Sequence, residues 1–155
     1  MWKDIFLDTV NEDFQTTVAT PIDLSNHSSL PDDIPSTARV WGSNDGQQNR
    51  DIFESIDKGD YVFLYGVDKG RYVAGGIIQA TCKTDLFAED YWGEKSANRK
   101  LIYIISDLQQ VDISVSEVND VLGYEDIYHP HGLQRVADER QKRDAISKFG
   151  LEKPS

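Results

Sequence analysis

The sequence predicts an α+β domain, a mostly antiparallel sheet or open barrel flanked by helices. Three observations predict it. Short apolar runs rich in Val, Ile and Tyr recur between turn residues: ARVW, YVFLY, RYVAGGIIQA and LIYIIS. Stretches with helical spacing of apolar residues are interleaved with them. Two of the runs flank VDKG, whose Asp68 and Gly70 suit the tight turn of an antiparallel hairpin.

Each element follows in order. Trp2, Ile5, Phe6 and Val10 repeat at helical spacing and predict a helix over 2–14. Residues 20–37 hold three prolines among Ser, Asn and Asp, and predict a loop or extended connector. Ala38–Trp41 reads as a strand, and Asn49–Ile56 as a helix with Ile52, Phe53 and Ile56 on one side. Tyr61–Tyr65 and Arg71–Ala80 form the hairpin. Gly75-Gly76 inside the return strand predicts a bulge or a close approach to the backbone. Residues 82–100 read as irregular. Leu101–Ser106 is a strand buried on both faces, and Asp112–Ser114 a further extended piece. Ser116–Leu122 is a helix, with Ser114 and Glu117 as its capping box and Gly123 as its stop. Residues 124–132 form a loop. Leu133–Ala137 is a last strand, and Asp138–Phe149 a charged helix.

Bulk properties narrow the class. The chain has 155 residues, enough for one domain with a single core. Residues 1–37 read as helix and connector packed on a domain spanning 38–150, and 151–155 as a linker or tail. No apolar run reaches the ~20 residues needed to cross a bilayer, and acids interrupt the N-terminal apolar positions, unlike a secretory signal. One cysteine, Cys82, excludes an internal disulfide framework and any multi-cysteine zinc site. Together these predict a cytoplasmic protein. The net charge is −11, from 27 acids and 16 bases, the wrong sign for a general polyanion binder. Either the partner is no polyanion, or binding is local. High acidity also suits a salt-rich cytoplasm.

No catalytic constellation emerges. No glycine pattern precedes a lysine and a hydroxyl residue as in a phosphate-binding loop. His129-Pro130-His131 lacks a third ligand, and His27 sits in a separate loop, so surface histidines are the expectation. Cys82 follows an apolar strand with no base nearby and reads as a buried structural thiol. Asp32-Asp33 and Glu89-Asp90 read as solvated loop acids. The expectation is a protein without enzymatic activity, cofactor or metal.

Aromatic residues remain. Trp41 ends a strand and abuts Gly42, Tyr65 ends another strand, and Trp92 precedes Gly93. Tyr124 and Tyr128 lie in the loop before the last strand. Rings at strand ends beside small polar residues suit a pocket for a flat ligand. The other reading is that these rings simply pack the core.

Five stretches then carry a resemblance: ARVWGSNDGQQNRDIF, KGDYVFLYGVDKGRYVAGGIIQA, YWGE, LIYIISDLQQVDISVSEVNDVLGY and HGLQRVADER. In this order they resemble the EVE/YTH branch of the PUA-like domains. The likeness extends to the N-terminal specificity modules of McrB-type, modification-dependent restriction systems. It implies a curved, mostly antiparallel sheet and a reader that takes a modified base, flipped from double-stranded DNA, into an aromatic cage. On that likeness Trp41 and Trp92 are the cage walls and Tyr65 a third wall or floor. Ser43 and Asn44 contact the base edge. Asn49, Arg50, Arg99, Lys100, Gln134 and Arg135 lie near the nucleic-acid backbone. A fused or associated AAA+ GTPase or nuclease is the implied effector. An RNA-reading or small-ligand module, or an interaction domain with purely structural tryptophans, is the alternative.

Overall fold

The computed structural model describes residues 4–24, 36–84, 91–93, 98–125, 127–137 and 142–151. Trp2, His27, Asp32, Asp33, Glu89, Asp90 and the tail 152–155 fall outside them. In chain order the elements are β1 (Ile5–Val10), α1 (Phe14–Thr17), β2 (Ile22–Asp23), β3 (Thr37–Ser43), α2 (Gln47–Glu54), β4 (Tyr61–Gly66), β5 (Arg71–Lys83), β6 (Leu101–Ser114), α3 (Val115–Leu122), β7 (Gln134–Arg135) and α4 (Lys142–Lys148). The hydrogen-bonded strand order is β2-β3-β6-β5-β4-β1-β7. The pairings are antiparallel at β1–β7, β2–β3, β3–β6 and β4–β5, and parallel at β1–β4. This is the predicted α+β class, a mostly antiparallel sheet with helices. No described helix is long and apolar enough to cross a membrane.

The chain divides into two compact units. The first comprises Met1–Asn11, Gly59–Ile77 and Asp107–Ser155, and the second Glu12–Lys58 and Ile78–Ser106.

In the first unit, β1 replaces the helix expected over 2–14. Ile5, Phe6 and Leu7 are consecutive and all wholly buried. Only an extended segment covered on both faces, with partners on both edges, buries three neighbours at once. β4 supplies one edge through Ile5↔Tyr61 to Val10↔Gly66, and β7 the other. The helical spacing of Ile5, Phe6 and Val10 is thus a by-product of a continuous apolar run. The core gathers Ile5, Leu7, Phe63, Tyr72, Ile146 and Phe149. Phe149 lies flat on Phe63, centroids 3.9 Å apart. Gly75 permits this: a Cβ there would sit 2.9 Å from Phe149 Cδ2. The glycine pair therefore marks a close approach, and the register shift of the hairpin falls elsewhere, between Leu64 and Tyr65.

Helix α3 starts and stops as predicted. The Ser114 hydroxyl accepts the Glu117 N–H at 3.2 Å. Gly123 closes the helix in the left-handed region, φ 79°. β6 runs through to Ser114 rather than stopping at Ser106. Within it Asp107 takes a positive φ, 52°, a conformation that Asp tolerates better than most residues.

In the second unit, β3 pairs with β6 in the register Trp41↔Tyr103 and Gly42↔Ile102. Short α1 is tied to β3. The Thr17 hydroxyl donates to the Val40 carbonyl at 2.6 Å, and Arg39 Nη1 donates to the carbonyls of Val18 and Ala19 at 2.6 and 2.8 Å.

Candidate functional site

Trp41 and Trp92 come together in the second unit. Their ring centroids are 5.4 Å apart and their planes tilted by 57°. They are 3% and 8% exposed, respectively. β3 presents Trp41, and the short helical segment at 91–92 presents Trp92. Gly42 makes room for the second ring. A Cβ at Gly42 would stand 2.7 Å from Ile102 Cδ1, 3.2 Å from Trp92 Cζ3 and 3.3 Å from the Arg99 carbonyl oxygen. This is why a glycine follows the first tryptophan.

The site holds a third planar group. The Arg99 guanidinium carbon lies 4.6 Å from the Trp41 centroid and 4.8 Å from that of Trp92. Both distances fall within cation–π range. Its Nη1 also binds Asp13 Oδ2 at 3.1 Å. Trp92 is anchored at its polar edge, where Nε1 donates to Thr17 Oγ1 at 3.2 Å. The rings thus touch each other, since direct aromatic pairs sit roughly 4.5–7 Å apart. A cation lies over both of them. The arrangement is a V of two indoles with a guanidinium in its mouth, and it differs from the two facing, separated walls expected of a cage.

The other expected site residues of this unit lie around β3 and α2. Ser43 is buried, 5% exposed, and Asn44 is exposed. Asn49 sits inside α2, which opens at Gln47, and its side-chain amide donates to the Asn44 carbonyl at 3.0 Å. Arg50 Nε binds Asp45 Oδ1 at 2.8 Å. Lys100 forms no ion pair among the described residues.

Tyr65, Gln134 and Arg135 belong to the first unit. Tyr65 is 8% exposed, stacks on His129 at 5.3 Å and meets Tyr72 edge-on at 5.6 Å. The Gln134 amide donates to the Tyr128 hydroxyl. Arg135 grips Asp4 with two nitrogens, at 3.0 and 3.2 Å. Arg50, Arg99 and Arg135 are therefore each matched by a carboxylate.

Asp13 and Thr17 escaped the sequence reading. They lie 86 and 75 residues from their partners Arg99 and Trp92, Asp13 just before short α1 and Thr17 at its end. No local signal finds such pairs.

Cys82 is half-buried rather than fully buried, and burial pushes its thiol pKa up. It lines an open groove of about 370 Å³ with Phe53, Glu54, Ile56, Thr81 and Lys83. Glu54 and Lys83 are ion-paired there. Among the described residues, no three His, Cys, Asp or Glu side chains are grouped to hold a metal.

No protein-family model and no curated protein matches the sequence. Solved structures do match it. The N-terminal domain of Thermococcus gammatolerans McrB, bound to m5C DNA, superposes with a TM-score of 0.76 at 21% identity, covering 97% of this chain and 100% of that one. The Pho92 YTH domain in complex with m6A gives 0.59 at 15% identity, covering 99% and 86%. Human THYN1, in complex with 5-methylcytosine-containing DNA, gives 0.53 at 11% identity, covering 98% and 100%. The chain thus has the fold of the PUA-like EVE and YTH domains, as the sequence resemblance implied. Within that fold class, one similar structure is the McrB N-terminal domain.

Proposed function

We propose that the chain is a non-catalytic reader of a methylated nucleobase, taken from DNA by flipping. Its Trp41–Trp92 pair is the stacking platform. The observation that carries this reading is the occupied V: two indole rings whose faces already hold a planar, delocalised group supplied by Arg99. A nucleobase is such a group. Support also comes from the bound partners of the similar structures, two of which hold methylated DNA.

The energetics suit discrimination rather than tight binding. Extruding a base costs a few kcal/mol. Stacking returns ~1–3 kcal/mol per base. A methyl group buried against an indole adds ~0.8 kcal/mol. Selectivity for the methylated base is therefore modest, about one to two orders of magnitude once imperfect solvation of the unmethylated base is included. Contacts to the sugar-phosphate backbone provide register. Ser43 and Asn44 are the proposed contacts to the base edge. In the second unit Asn49, Arg50 and Lys100 are the proposed backbone contacts, and in the first Gln134 and Arg135 are proposed for the same role. In a cell this reader is the specificity module of a restriction or defence system and directs an AAA+ GTPase or nuclease to modified DNA.

The test is a titration of fluorescently labelled duplexes, identical except for 5-methylcytosine or N6-methyladenine at one position. The wild type binds one methylated duplex at least tenfold tighter than its unmethylated match. Trp92→Ala loses that preference while its far-UV circular dichroism stays native. Undiminished preference in a folded Trp92→Ala protein refutes the reading.

A further inference from the structure

We propose that Arg99 is an internal occupant of the Trp41–Trp92 site. Its guanidinium stands where the modified base stacks, so ligand binding is an exchange of one planar group for another. This rests on the base-reader reading and names the residue that sets its threshold.

Four observations carry it. The Arg99 guanidinium carbon is nearly equidistant from both indole centroids, at 4.6 and 4.8 Å, so it is centred on the pair rather than grazing one ring. Its side chain is only 12% exposed, where cation–π attraction exceeds its value at the open surface. Asp13 fixes the head group from α1 at 3.1 Å and balances its charge. Gly42 brings the Arg99 backbone itself against the pair, since even a Cβ there would press on the Arg99 carbonyl oxygen and on Trp92 at once.

A guanidinium resembles a nucleobase edge in three respects. It is flat, its charge is delocalised, and it carries N–H donors in its plane. Stacked on the indoles it satisfies the same faces that a base requires. An unmodified base gains too little to replace it. A methylated base, with more polarisable surface to bury, gains more. Arg99 thus raises the threshold for every base and leaves the better-stacking ones above it.

The experiment uses Arg99→Ala and, as a milder lesion, Asp13→Asn, both in a Trp2→Phe background and with excitation selective for indole, so that the emission comes from Trp41 and Trp92. Acrylamide quenching and titration with the matched duplexes are measured on each. Arg99→Ala is expected to quench more readily and to bind both duplexes about tenfold tighter, with the ratio between them unchanged. Asp13→Asn moves the same way by less. Methylguanidinium at tens of millimolar restores the low quenching of Arg99→Ala and competes with the duplex, whereas sodium at equal ionic strength does neither. Weaker or unchanged duplex binding by Arg99→Ala, with its rings more open to acrylamide, overturns the proposal and leaves the base reader standing with Arg99 as a direct ligand contact. Absence of duplex binding by both wild type and Arg99→Ala overturns the reader reading, and this proposal with it.

Discussion

Thr17 links Trp92 to the sheet through one oxygen. Its hydroxyl accepts the indole N–H at 3.2 Å and donates its own proton to the Val40 carbonyl at 2.6 Å. Thr17 and Trp92 are both buried, so both bonds lie away from water. Thr17→Val keeps the shape and removes both bonds. We expect a loss of about 1–3 kcal/mol, because a buried polar group stripped of its partner costs its desolvation. Urea denaturation measures it. A change below about 0.5 kcal/mol means that the bonds contribute nothing net. The Trp92 emission of the folded variant should also shift as its ring loses its anchor.

Gly42→Ala tests the spacing that admits the second ring. The new methyl group meets Ile102, which yields by rotating its terminal carbon, but also Trp92 and the Arg99 carbonyl oxygen. Backbone gives way less readily than a side-chain tip. Overpacking of this kind costs about 1–3 kcal/mol. Preference for methylated duplex should fall together with thermal stability, and a crystal structure should show Trp92 displaced. A Gly42→Ala protein as stable and as selective as wild type would show that the approach of Trp92 to β3 is slack.

The salt dependence of DNA binding should be shallow. Arg50 and Arg135 are ion-paired with Asp45 and Asp4. Each phosphate contact they make must first give up a carboxylate. The net charge of −11 opposes the duplex as well. The logarithm of the binding constant should fall against the logarithm of salt concentration with a slope of magnitude about 1–3, corresponding to few phosphates neutralised. A slope near 6 or steeper would mean that the ion pairs open on DNA and that backbone charge dominates.

Much of this was legible in the sequence for definite reasons. The β4–β5 hairpin announced itself through VDKG and its flanking apolar runs. The Ser114–Glu117 cap and the Gly123 stop were readable because helix ends are written within a few residues. Trp41 was marked by the glycine beside it. The first strand imitates a helix because a segment buried on both faces carries a continuous apolar run, and such a run satisfies helical spacing by accident. The resemblance puts Arg99 near the nucleic-acid backbone, yet its place over two indoles depends on β3, on the segment at 91–92 and on Asp13 together. Asp13 and Thr17 were invisible for the same reason. A contact made across 75 or more residues leaves no local trace.

The parallel pairing of β1 with β4 also bears on how the chain reaches its native state. Asp4 and Asp60, at the head of the pair, are 56 residues apart in sequence. Closing so wide a loop sacrifices chain entropy before any ladder bond forms, whereas the β4–β5 hairpin closes through a four-residue turn. The hairpin therefore precedes β1 along the folding route, and the edge of β4 stays bare until late. The expected outcome is that truncating Leu7 accelerates unfolding far more than it retards refolding; comparable changes in the two rates would place the β1–β4 contacts at the rate-limiting barrier instead.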